Sequence, residues 1–252
     1  GEFVETVVDR YAQAITGIET TDFAAYTIVD ESEPAQGITY PVRWRVTNEQ
    51  DKTVNISILA DGEKGIEIDY RNSFVLKAGE TRVVEATFVC AADAPRLKVD
   101  KHNRDKIAPR IKTTLVIGGE VMELGTGLHY HPAVDISLEP KFPSLFPGEA
   151  KTVQLILRNR AGRSLKGTVS IVPQEGLKTD WMRREFEVEA NHYAGLPLEV
   201  SCNQTGAVPL LVTATFSDAD RQVSTEPVRF PLLMTPIGGV CADWDTDKKT
   251  IV

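Results

Sequence analysis

Segments 74–90, FVLKAGETRVVEATFVC, and 186–202, FEVEANHYAGLPLEVSC, align without a gap. Phe74, Ala78 and Cys90 have counterparts in Phe186, Ala190 and Cys202, each 112 positions later. Each segment reads as strand, turn, strand, with the cysteine closing the second strand. Self-similarity at a fixed offset marks a duplicated structural unit. The repeat extends upstream, where RVTNEQDKTVNISI matches LRNRAGRSLKGTVSI with small shifts. It extends downstream to two hairpins, IKTTLVIGGEVMELGTG and LLVTATFSDADRQVSTE, which turn at Gly118-Gly119 and at Asp218-Ala219-Asp220. Each copy has about seven short strands with a turn signal every 8–12 residues, the pattern of a β-sandwich. A unit of about 110 residues is long enough to bury its own core.

These observations predict an all-β chain of two tandem immunoglobulin-like sandwiches, covering 21–132 and 133–236, with the boundary near His131-Pro132. In the first unit Val42, Trp44 and Val46 alternate with Arg43, Arg45 and Thr47. One face of that strand is therefore buried, and Trp44 belongs to the core. Residues 3–16, FVETVVDRYAQAIT, space apolar side chains at i, i+3, i+4 and i+7. They predict an amphipathic helix within 1–20 that either covers the first sandwich or ends an upstream domain. The tail, 237–252, matches neither copy; its terminal strand either pairs with the sandwich or starts a downstream domain. The opening GEFVETVV does not read as a signal peptide.

Lys and Arg number 28 against 36 Asp and Glu, a net charge of −8. That balance excludes a nucleic-acid-binding surface as the main role. No apolar run approaches the length of a membrane-spanning helix. Cys90, Cys202 and Cys241 show no CxxC spacing, so they frame neither disulfides nor a zinc site and read as buried small hydrophobes. The sequons at Asn55 and Asn203 read as chance, since Asn55 falls inside an expected strand.

The second unit carries a Pro147-Gly148-Glu149 turn, a strand ending in Asn159, a second strand, and a Pro173-Gln174-Glu175-Gly176 turn. Glycine at the third position of a type II turn supplies the positive φ required there, and asparagine punctuates a strand end. This succession resembles the immunoglobulin-like accessory domains called NEW3 and, more loosely, the CARDB adhesion-type domains, over roughly 134–216. The first unit matches through Gly79-Glu80 and Asn48. The resemblance implies a non-catalytic module, without cofactor, that spaces, orients or stabilises neighbouring domains of a larger, carbohydrate-active bacterial enzyme. It also leaves open a module that binds a glycan or a cell-surface partner. The parent class is often exported, so an extracellular or periplasmic setting is the expectation.

Candidate site residues are few. His129 and His131 stand at i, i+2 on a strand and could share a metal, with His102 or Asp135 as a third ligand. Their bland alternative is local hydrogen bonding in a connecting strand. Asp243, Asp245 and Asp247 alternate, but Lys248 stands where a calcium loop needs glycine, so they read as a solvated turn. Segment 96–112, RLKVDKHNRDKIAPRIK, has no equal in the second unit. Its Arg96, Lys98, Lys101, Arg104 and Lys106 make a positive patch on an acidic chain, for an acidic partner or as a solvated loop. Trp181, Tyr193 and Trp244 could stack on sugar rings if exposed. No Ser/His/Asp order, carboxylate pair or phosphate loop stands out, so an independent enzyme is the least supported reading.

Overall fold

In the computed structural model the backbone is described for residues 5–9, 14–94, 108–204, 206–234, 244–245 and 250–251. Its regular structure there is all β. The chain divides into two units, Gly1–Ala133 and Val134–Val252.

Unit 1 contains β1 (Glu5–Asp9), β2 (Ala14–Glu19), β3 (Phe23–Val29), β4 (Thr39–Asn48), β5 (Val54–Gly62), β6 (Ile66–Glu67), β7 (Asp69–Leu76), β8 (Thr81–Cys90), β9 (Arg110–Ile117) and β10 (Glu120–Gly127). One sheet has the order β1-β2-β3-β4-β8-β6 and the other β10-β9-β5-β7. Alternation along β4 and β5 sends Val42, Trp44, Val46, Ile56 and Ile58 into the space between the sheets, where all are buried. Trp44 is fully buried as expected. Its indole Nε1 donates to Thr113 Oγ1 at 2.9 Å, and its ring stacks on Tyr70 with centroids 4.9 Å apart.

The expected helix over 3–16 is corrected. Glu5–Asp9 and Ala14–Glu19 are antiparallel strands that extend the first sheet beyond β3, while residues 3, 4 and 10–13 lie outside the described residues. Val7, Val8, Ile15, Thr16 and Ile18 are β-branched and suit a strand once β3 offers an edge to pair with. Tyr26 lies over Gly17, so close that a Cβ there would meet the ring at 2.4 Å. The apolar spacing had fitted a helical period as well, and tertiary pairing decided between them.

Unit 2 repeats the plan with β11 (Val134–Glu139), β12 (Ser144–Leu145), β13 (Ala150–Asn159), β14 (Leu165–Val172), β15 (Leu177–Thr179), β16 (Arg183–Val188), β17 (Tyr193–Cys202), β18 (Gly206–Asp218), β19 (Arg221–Ser224) and β20 (Val228–Met234). Its sheets are β11-β13-β17-β15 and β12-β20-β18-β14-β16, with β19 paired to β18. Leu155, Leu157, Leu198, Val200, Val212 and Phe216 fill the core. A short pair, β21 (Trp244–Asp245) with β22 (Thr250–Ile251), follows in the tail.

The duplication is clearest in three devices that tie separate stretches of backbone together. First, one segment hops between sheets in each unit. Ile66 pairs with Cys90 in the first sheet before β7 joins β5 in the second; Leu177 pairs with Cys202 before β16 joins β14. Second, the turn before the long strand docks on the repeat cysteine. Gly148, at φ 80°, donates its N–H to the Cys202 carbonyl at 2.8 Å, and Gly37, at φ 79°, donates to the Cys90 carbonyl at 2.6 Å. The counterpart of Gly148 is thus Gly37. Gly79-Glu80, which the sequence matched to it, closes a different turn; its counterpart in unit 2 holds Asn191 at φ 60°. The match failed because Gln36-Gly37-Ile38 keeps only the glycine of the Pro-Gly-Glu signature, and the backbone conformation requires only that residue.

Third, Asn48 and Asn159 are 1% exposed, and their amides serve as hubs. Asn159 Nδ2 donates to the carbonyls of Arg163, Val188 and Glu189 at 2.8, 2.9 and 3.0 Å. Asn48 Nδ2 donates to those of Lys52, Leu76 and Lys77 at 2.7, 3.3 and 2.9 Å. Each Oδ1 accepts a backbone N–H two residues on, from Ala161 and from Gln50. The asparagine therefore does more than end its strand: it ties that end to a loop and to the close of the hopping segment.

Candidate functional site

Backbone N–H groups of His129 and His131 donate to the carbonyls of Ser32 and Pro34, and Gln36 donates back to the His131 carbonyl. The segment is thus a clasp between 32–36 and 129–131, and Tyr130 between the histidines is buried. His131 Nδ1 sits 3.0 Å from the Pro132 carbonyl oxygen. Among the described residues no group of three or more His, Cys, Asp and Glu is arranged to hold a metal. Asp135 lies in β11 of unit 2, and His102 lies outside the described residues.

Arg96, Lys98, Lys101, Arg104 and Lys106 also lie outside the described residues, as do Cys241, Asp243 and Asp247. Cys90 and Cys202 are buried, and burial pushes the Cys90 thiol up to about 12, so it stays protonated. Trp181 is half-buried. Its indole donates to the Pro197 carbonyl at 2.9 Å, and the Arg184 guanidinium lies 5.9 Å from its ring centre. That arrangement caps a backbone carbonyl at the edge of β17, where β15 has ended. Tyr193, by contrast, is 74% exposed.

Three surface features have the shape or chemistry of a site. A groove of about 510 Å³ on unit 2 is lined by Lys166, Thr168, Glu185, Glu187, Ser217 and Gln222. Lys166 of β14 and Glu187 of β16, register partners on adjacent strands, pair at 2.8 Å. Hydroxyl, amide and charged groups on an open floor suit a hydrated, polyhydroxylated ligand better than an apolar one. A second groove, about 530 Å³ at one end of unit 1, gathers Asp22, Glu49, Asp51 and Glu120 around Lys52. The third feature is an exposed apolar strip on unit 2, formed by Phe142, Phe146 and Leu233 beside β12.

Sequence spacing gave no sign of the ion cluster on unit 1. Arg110 Nη2 and Lys112 Nζ reach Glu63 Oε1 at 3.0 and 3.1 Å, and the Arg110 backbone N–H donates to Oε2 at 2.9 Å. Burial pushes the Glu63 carboxyl up, but these hydrogen bonds outweigh it and hold the group below the usual carboxylate range. A lowered folded value means stabilisation that is present above the unfolded value of about 4.3 and lost as pH falls through the folded one. Glu63→Gln is therefore expected to cost about 1 kcal/mol at neutral pH and almost nothing in acid. Urea unfolding of both proteins across that range measures the difference, and a gap that stays constant with pH would contradict the assignment.

No protein-family model matches the chain, and no curated protein sequence matches it. Among solved structures, the crystal structure of red sea bream transglutaminase is similar over 84% of this chain and 31% of its own, at 15% identity and a TM-score of 0.34. The chain thus spans about a third of that structure's length.

Proposed function

We propose that the chain is a non-catalytic pair of immunoglobulin-like sandwiches that spaces, orients or stabilises neighbouring domains of a larger, carbohydrate-active bacterial enzyme. The observation that carries this reading is what the duplication preserves. The buried asparagine, the glycine docked on the cysteine carbonyl and the sheet-hopping segment recur in both units, and each ties one stretch of backbone to another within its unit. Duplication has kept a scaffold, and the attachment to carbohydrate-active enzymes follows the NEW3-like turn pattern of unit 2.

The full reading frame tests the proposal. Catalytic domains are expected to flank these residues, and replacing 21–234 by a flexible linker of similar reach is expected to lower the parent's stability or its turnover of a polymeric substrate. A frame confined to these 252 residues would overturn the reading. Binding to a glycan or cell-surface partner is the second reading, favoured by the exposure of Tyr193 and by the hydroxyl-lined groove at Thr168 and Ser217. Affinity electrophoresis in polysaccharide gels separates the two: retardation that Tyr193→Ala abolishes supports binding.

A further inference from the structure

The open face of the β10-β9-β5-β7 sheet has a self-matching charge pattern. Strand register sets its side chains in rows across the four strands. One row reads Arg71, Leu59, Thr114, Glu123; the next reads Ser73, Ser57, Val116, Val121. The centre is uncharged, with Leu59 and Val116 half-buried, while Val121 and Val75 are 67% and 47% exposed. Charges stand at the rim, and at the β10 margin Ile15 of β2 lines a shallow pocket of about 420 Å³ with Asp61, Lys112, Thr114 and Glu123. A third row, Asp69, Asp61, Lys112, Gly125, adds an acid and a base on either side of the midline. Reversed, the first row sets Arg71 opposite Glu123, and the third sets Asp61 opposite Lys112 and Asp69, which pairs with its own Arg71, opposite Gly125.

We propose that this face docks on the same face of a second copy of the chain, about a two-fold axis running along the strands between β5 and β9. That operation exchanges β7 with β10 and β5 with β9, so Arg71 of each copy meets Glu123 of the other and the uncharged row closes on itself. A two-fold interface must be complementary to itself, and a surface built for a different partner has no need to set opposite charges at mirrored positions in two of its rows. Packed sheets align at about −30°, which keeps the central rows in register. Lys112 already meets Glu63 and Arg71 already meets Asp69 within the chain, at 3.1 and 3.3 Å. Both cations are more than half exposed and are available to a second carboxylate.

Four strands about 4.8 Å apart and some eight residues long give a face of roughly 500 Å². Two such faces bury on the order of 1,000 Å², the lower edge of a specific interface, so the dimer is weak and concentration-dependent. The inference goes beyond the spacer reading and does not depend on it.

Sedimentation equilibrium of the full chain over a wide concentration range tests the proposal. The weight-average mass is expected to rise from that of one chain towards twice that value. Val121→Asp, at an exposed position, is expected to abolish the rise while leaving thermal unfolding unchanged. Arg71→Glu and Glu123→Arg are each expected to weaken association at least about tenfold, because like charges then face one another. Mixed in equal amounts, the two variants are expected to associate again, since each supplies the sign that the other lacks. A single-chain mass at every concentration overturns the proposal, as does a dimer indifferent to Val121→Asp or a mixture no better than either variant alone. None of these outcomes bears on the reading frame, so the two ideas fail separately.

Discussion

Asn159→Ala is expected to destabilise unit 2 by about 2–4 kcal/mol. The amide is buried and serves three carbonyls, and alanine strands those acceptors where water does not replace the donor. It also releases the Ala161 N–H that Oδ1 holds at 2.8 Å. Asn159→Asp is expected to be worse despite its shape, because a carboxylate presents oxygen to the same three carbonyls. Hydrogen exchange followed by mass spectrometry reads the effect by segment. Peptides from 150–202 are expected to lose protection in the Asn159 variants, and peptides from 39–90 in the equivalent Asn48→Ala. Wild-type exchange in Asn159→Ala would show that the hub carries little of the unit's stability.

Trp44→Ala is expected to cost unit 1 about 3–5 kcal/mol, the usual range for truncating a fully buried aromatic. The indole stacks on Tyr70 and donates to Thr113, whose side chain is itself 1% exposed. Trp44→Phe keeps much of the volume but leaves the Thr113 hydroxyl without its donor, at about 1–3 kcal/mol. Thr113→Val added to Trp44→Phe is expected to recover part of that loss. Unit 2 holds the paired solution in natural form: by register, Leu155 occupies the place of Trp44 and Val212 that of Thr113, both fully buried. Midpoints of urea unfolding, followed by far-ultraviolet circular dichroism, measure these three variants and Thr113→Val alone. Non-additivity between Trp44→Phe and Thr113→Val is the specific signature, and simple addition would remove the hydrogen bond from the account.

The all-β class and the paired segments ending in Cys90 and Cys202 were legible because alternation and turn residues are local signals. The hairpins at Gly118-Gly119 and Asp218-Ala219-Asp220 were legible for the same reason, and the structure turns there. The burial of Trp44 followed from period two. Three features escaped. Residues 5–19 carry an apolar spacing compatible with two periods, and only the edge of β3 decides between them. The docking of Gly37 on the Cys90 carbonyl is a contact across more than fifty residues that leaves one glycine in the sequence. The Glu63 cluster joins side chains from a loop and from β9, which no spacing rule relates. On the side of function, Trp181 is a candidate for stacking on a sugar ring, and its indole N–H is spent on a strand edge. The charge symmetry of the open sheet face appears only once β5, β7, β9 and β10 are in register.

Both units close with a parallel contact between an early segment and a late one: Ala35 with His131, and β12 with β20. Tension applied through the flanking chain drags these neighbours in opposite directions along their own axes. Their hydrogen bonds are then strained together rather than opened one after another, as they would be at the end of a hairpin. These contacts are therefore loaded in shear, whereas the antiparallel β1-β2 hairpin, which lies before Ala35 in the chain, opens bond by bond.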